Sequence, residues 1–139
     1  MSFVVLDTDV ASAALRNRLP ANITARLVRS TPCITFVTLG ELTKWTVVRD
    51  WGPRKLEHLA AWRHNVVLLP FDERVSVAWG HIEARAQKRG HPHPVNDSWI
   101  AAVCIARSHP LITFNVKDYE DYAAHEGLVL IDGGRPVRP

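Results

Sequence analysis

Five short runs of apolar, largely β-branched residues limit most strongly what this chain can fold into: FVVL at 3–6, CITF at 33–36, VVLL at 66–69, LITF at 111–114 and LVLI at 128–131. None alternates with polar residues, so each reads as a strand covered on both faces. Segments with helical periodicity lie between them. The clearest puts Val75, Ala78, Trp79, Ile82 and Ala86 on one stripe, with Asp72 as its cap and Gly90 as its stop. A second runs from about Thr38 to Trp51, and Gly52-Pro53 separates it from a third, RKLEHLAAWRHN. The stretch WIAAVCIA after Ser98 is apolar throughout, as in a helix covered on most sides. Strands alternating with helices in this way predict an α/β fold, a three-layer α/β/α sandwich with a mainly parallel central sheet.

With 139 residues, 47% of them hydrophobic, the chain is expected to form one domain over 1–139, with only GGRPVRP, from about 133, as a loose tail. No repeat, signal segment or membrane-length apolar run is visible, so a soluble, cytoplasmic protein is expected. Cys33 and Cys104 sit in apolar surroundings without ligand spacing and read as buried free thiols. The formal charge of +3 suits a polyanionic partner, but the basic residues are scattered, and folding must assemble any basic surface.

In open parallel sheets, sites form outside the C-terminal ends of the strands. Asp7 directly follows FVVL, and Asp9 lies two residues on, in LDTDVAS. Glu41 sits a turn into the helix after CITF. Asp97 starts the apolar helix in VNDSWIAA, where it is also placed to cap it. Asp118 follows LITF in TFNVKDYEDY, with Thr113 and Asn115 beside it. Singly, capping, ion pairing or turn chemistry accounts for each acid. Capping does not account for their shared sheet edge. Clustered carboxylates repel one another unless a cation neutralises them, and hard oxygen ligands suit Mg²⁺ or Mn²⁺. Such ions turn bound water into a nucleophile and stabilise charge on an attacked phosphate. Phosphodiester hydrolysis is the natural chemistry.

The ordered set VVLDTDV, TLGEL, NDSWIAA and LITFNVKDY resembles the four signatures of PIN domains, and is most similar to the VapC toxins of type II toxin-antitoxin systems. The resemblance spans essentially the whole chain. It implies an α/β/α sandwich, a Mg²⁺- or Mn²⁺-dependent endoribonuclease acting on an RNA substrate, a homodimer, and inhibition by a cognate VapB-like antitoxin. Position by position, Asp7, Glu41, Asp97 and Asp118 match the acidic quartet. Asn115 matches a polar residue supporting the fourth acid, and Asp9 stands where the family frequently has Asn. Phe114 departs from the basic or small residue more usual before that Asn.

Other features carry weaker expectations. His91 and His93 in GHPHPVND are read as a loop at the rim of the site, not as a zinc centre, because no further ligand stands at the required spacing. Trp79 and Trp99 lie on apolar stripes and suit the core or a dimer interface. Trp45, Trp51 and Trp62, with Lys44, Arg49 and Arg63, suit either ordinary helix packing or a groove that receives the antitoxin. Candidate RNA contacts are Lys44, Arg85, Lys88 and Arg89; the last three equally suit a helix C-terminus.

Rival functions are a non-catalytic PIN-like module binding RNA or protein, a phosphatase with Asp7 as nucleophile and Asp9 as acid, and a receiver domain phosphorylated on Asp72. The phosphatase leaves Glu41 and Asp97 without a role.

Overall fold

The computed structural model describes residues 2–138. The run FVVL becomes β1 (Phe3–Leu6), the middle strand of a five-stranded sheet. On one side lie β2 (Thr31–Thr35) and then β3 (Val67–Leu69); on the other lie β4 (Leu111–Thr113) and then β5 (Leu130–Asp132). Every pairing is parallel, with Val5 opposite both Cys33 and Leu111, and Ile112 opposite Ile131.

Parallel pairing requires crossovers, and helices provide them. The first half contributes α1 (Thr8–Leu15), α2 (Ala21–Val28), α3 (Phe36–Val48) and α4 (Pro53–Arg63). The second half contributes α5 (Glu73–Lys88), α6 (Val95–Arg107), a 3₁₀ turn at Val116–Asp118 and α7 (Glu120–Glu126).

The two sides of the pleat feed two cores. Val5, Cys33 and Leu111 pack with Val75 and Ile82 of α5, Ile100 and Val103 of α6, and Tyr122 of α7. Val4, Leu6, Ile34 and Ile112 face the opposite way, onto Val10 of α1, Ile23 of α2 and Leu42 of α3. Burial on both faces explains why the strands show no alternation, and the result is the expected α/β/α sandwich.

Several boundaries move. The run CITF predicts a strand through Phe36, yet Thr35 accepts a bond from Thr38 N at 3.3 Å and starts α3. The helix after VNDSWIAA begins at Val95 with Pro94 in the cap position, and no side chain caps it. Asp97 is therefore not its cap. Asp72 does cap α5, accepting from Val75 N at 3.0 Å, and Gly90 follows with φ +69°. Residues from 133, expected as a loose tail, are tied back by Gly133 N to Thr113 O (2.8 Å) and Val137 N to Arg18 O (2.7 Å).

Candidate active site

Asp7 occupies the turn from β1 into α1. From β1 the chain steps outward to β2 and β3, then returns through α5 and α6 to β4 on the other side of β1, so the crevice beside Asp7 is the switch point of the sheet. Its Oδ1 accepts from Thr8 N at 3.0 Å, capping α1. Oδ2 accepts from the Thr113 hydroxyl at 2.9 Å, across to the end of β4. That hydroxyl accepts in turn from Asn115 N at 2.9 Å, which fixes the start of the segment leading to Asp118. A third donor is the phenol of Tyr119, 3.0 Å from Oδ1.

Asp7 is 7% exposed. Burial pushes its carboxyl up to about 6; the bonds from Thr113, Tyr119 and Thr8 oppose that rise, and the charge of Asp97 adds to it. Asp97, half-buried in the first turn of α6, is also raised. Burial is again the larger cause, and the negative charges of Asp118, Glu41 and Asp9 contribute. The bond from the Tyr119 phenol, 3.3 Å from Asp97 Oδ1, acts in the opposite direction.

A set of hydroxyls holds Glu41. The Thr8 hydroxyl donates to Oε1 at 2.8 Å and lies 2.9 Å from the hydroxyl of Thr38, with all three residues buried or half-buried. Asp9 is exposed in the first turn of α1, and Asn115 Nδ2 donates to its Oδ2 at 3.4 Å. Asp118 is exposed on the 3₁₀ turn. The acids picked out in the sequence thus come from α1, α3, α6 and the turn after β4, and their charges act on one another.

Among the described residues, none of Asp7, Asp9, Glu41, Asp97 and Asp118 forms an ion pair with a basic side chain. Partly buried carboxylates without a counter-charge, offering only hard oxygen donors, fit a divalent cation such as Mg²⁺ or Mn²⁺.

Tyr119, Thr8 and Thr38 escaped the sequence reading. An aromatic after Asp118 looks like core, and the Tyr119 ring is indeed fully buried. Only its hydroxyl, in a chain position following a candidate ligand, hinted at more.

Of the basic candidates, Lys44 lines a hollow with Glu41, Trp45, Asn96 and Trp99. Arg85 is committed elsewhere: Nε reaches both oxygens of Glu126 at 3.1 and 3.0 Å, and Nη2 reaches Oε1 at 2.7 Å. Arg89 bonds Asp121 at 2.6 Å, and Lys88 is exposed at the end of α5. His91, His93 and Asp121 bring possible ligand atoms within 4.8 Å of one another. Burial alone would raise the Asp121 carboxyl, but bonds from Arg89 and from His93, at 2.8 Å, bring it down to about 2. The guanidinium already neutralises this carboxylate and repels a cation, so the group acts as a clasp between the His-Pro loop and α7.

The tryptophans divide. Trp79 and Trp99 stack at 4.6 Å, and Trp79 Nε1 donates to the Ser98 hydroxyl at 2.8 Å. Trp45 and Trp62 pack on the core beneath α3. Trp51 instead borders a surface hollow. Both cysteines are buried and free, and burial pushes the Cys33 thiol up to about 11.

The geometry disfavours both phosphoaspartate chemistries. A phosphatase centred on Asp7 gives no role to Glu41 and Asp97, which meet at the same edge, and Asp72 is occupied by its cap bond and by Arg107 Nη2 at 2.9 Å. Among the described residues no helix is long and apolar enough to cross a membrane.

Comparison with known proteins gives a consistent picture. Residues 4–124 match the model of the PIN domain family. Ribonuclease VapC5 of Mycobacterium tuberculosis is 28% identical over 130 residues, covering 92% of this chain and 91% of that protein. Ribonuclease VapC4 of the same organism is 33% identical over 101 residues, covering 70% and 74%. The VapBC-1 structure from nontypeable Haemophilus influenzae superposes with a TM-score of 0.82 at 25% identity, covering 94% of this chain and 97% of that one.

Proposed function

The chain belongs to the PIN domain family and, within it, to the VapC ribonucleases, the toxins of toxin-antitoxin pairs, and from that premise we propose that it cuts RNA phosphodiester bonds with Mg²⁺ or Mn²⁺ held by Asp7, Glu41, Asp97 and Asp118. The observation that carries this reading is the meeting of these acids at one edge without a basic partner. When bound, the cation supplies an activated water and charge stabilisation at the attacked phosphate.

The chain's own groups do the rest. The donors from Thr8, Thr113 and Tyr119 fix the direction of both Asp7 oxygens, and the Thr8 hydroxyl fixes Glu41. Ligands held in this way need little reorganisation when the metal and substrate arrive. Asn115 restrains Asp9 at the rim, where both are available to substrate. A cognate VapB-like antitoxin, a homodimer and a cytoplasmic site of action complete the proposal. The stacked Trp79 and Trp99, flanked by Phe71 at 49% exposure, suit a dimer contact.

The test is cleavage of total cellular RNA by purified, antitoxin-free protein with Mg²⁺ or Mn²⁺, against EDTA and an Asp7→Ala control. Metal-dependent cutting at discrete sites, lost in the variant, is expected. Folded, metal-loaded protein that binds RNA without cutting it would point instead to a non-catalytic module.

A further inference from the structure

Arg16 and Arg18 line two hollows at once. One, of about 370 Å³, also contains Asp9 and Asn115 and so opens onto the acidic edge. The other, of about 500 Å³, is completed by Arg49, Trp51, Lys55 and His58, and no acid lines it. Each lies in the size range of small-molecule sites, roughly 300–1,000 Å³.

The two hollows meet because two helices end alike. Asn17 (φ +56°) and Asp50 (φ +50°) take the left-handed conformation just after α1 and α3. Arg18 N then bonds Ala13 O at 2.8 Å, and Trp51 N bonds Thr46 O at 2.9 Å, which closes each helix with the same reversal. These turns bring Arg16 and Arg18 from one helix end into the hollow that Arg49 and Trp51 border from the other. His58 Nε2 lies 2.8 Å from Leu15 O and joins α4 to the end of α1.

Among the described residues Arg16, Arg18, Arg49 and Lys55 share with most of the basic side chains the lack of a carboxylate partner; what sets them apart is that they converge on one furrow. The helix dipole accounts for Arg16 and Arg49, which stand at C-terminal ends. It does not account for Arg18, beyond the end, and it opposes Lys55, in the first turn of α4. A polyanion laid along the furrow would meet all four cations at once. Trp51, half-buried with Lys55 Nζ 5.8 Å from its ring centroid, offers a face for a base.

We propose that the furrow running from Asp9 and Asn115 over Arg16 and Arg18 to Arg49, Trp51 and Lys55 is the track for the single-stranded RNA flanking the cut bond, with phosphates on the cations and a base against Trp51. This rests on the ribonuclease reading, and it places the outer contacts away from the acids so that the two can be tested apart.

The experiment uses the full chain in an Asp97→Asn background, which prevents cutting, and a fluorescent random-sequence 20-nucleotide RNA read by anisotropy at several salt concentrations. Arg49→Glu with Lys55→Glu is expected to weaken binding at least about tenfold and to reduce the salt slope by about 1.4, roughly 0.7 per lost phosphate contact. Trp51→Ala is expected to weaken binding about fivefold or more with the slope unchanged, and Trp51→Phe to restore most of it. Circular dichroism and thermal midpoints establish that each variant is folded.

Failure of the parent to bind, or folded variants that bind like the parent, would overturn the track. So would variants that keep RNA affinity and lose only the antitoxin, since the furrow would then be a protein site. Cutting of total RNA by the chain without the Asp97 change is scored separately: no cutting defeats the ribonuclease reading itself, whereas cutting with unaltered RNA affinity in the variants defeats the track alone.

Discussion

The phenol of Tyr119 stands 3.0 Å from Asp7 and 3.3 Å from Asp97, so one proton is shared between a carboxylate at the start of the β1–β2 crossover and one on the helix that leads into β4. Burial and both negative charges push the phenol's pKa up, which keeps it a donor throughout the working pH range. Tyr119 is therefore a positioning residue for both acids. Removing only its oxygen, as Tyr119→Phe, leaves the buried ring in place. RNA cleavage should fall about tenfold, the equivalent of one charge-assisted hydrogen bond, and more metal should be needed for half-maximal rate. Steady-state rates across a Mg²⁺ titration check both.

Asp97→Asn should separate activity from stability. The carboxyl is half-buried and repelled by Asp118, Glu41 and Asp9, so the neutral amide relieves unfavourable charge in the metal-free protein. Cleavage should fall by about 100-fold or more through loss of a ligand charge, while the thermal midpoint in EDTA holds or rises. A midpoint that fell together with activity would mean Asp97 is chiefly structural.

The pH dependence of stability follows from Asp7. Its carboxyl titrates near 3.8 when free and at about 6 in the metal-free folded protein. The folded state binds the extra proton between these values, so this contribution is complete below about 4 and is lost as pH rises through about 6. The upper limit is roughly 3 kcal/mol. Urea melts in EDTA should show decreasing stability across that window, and Mg²⁺ should stabilise more at pH 7.5 than at pH 5.

Thr8→Val removes the hydroxyl that serves Glu41 at 2.8 Å and meets Thr38 at 2.9 Å, while keeping the shape. A loss of about 1–2 kcal/mol in denaturant melts is expected, together with reduced cleavage from a Glu41 no longer held in direction.

Arg85→Ala, by contrast, should leave RNA cleavage within about twofold, because its guanidinium faces Glu126. Only the thermal midpoint should move, and downward.

The sheet was readable because buried parallel strands carry uninterrupted apolar runs; β1 falls on FVVL without a shift. Chain termini of elements were less readable where one residue served two elements, as Thr35 ends β2 and caps α3. The amphipathic pattern of α2 is only eight residues long, and nothing in ANITARLV marked it out. Asp97 looked like a cap because Asn-Asp often is one. Pro94 starts the helix earlier and turns the carboxylate toward the other acids. The acids themselves were legible from their places after strands, but their supports were not. Thr8, Thr38 and the Tyr119 hydroxyl act across the fold, and Tyr119 meets Asp7 over 112 residues of sequence. No local pattern records such a distance.

That separation also sets a clock. During synthesis Asp7 emerges 112 residues ahead of Tyr119, an interval of roughly 5 to 20 s at about 5–20 residues per second. Until residue 113 arrives, β1 has one edge with no neighbour, open to other chains or to chaperones. A nascent or truncated chain that stops short of Tyr119 therefore lacks the assembled centre however much of it has folded.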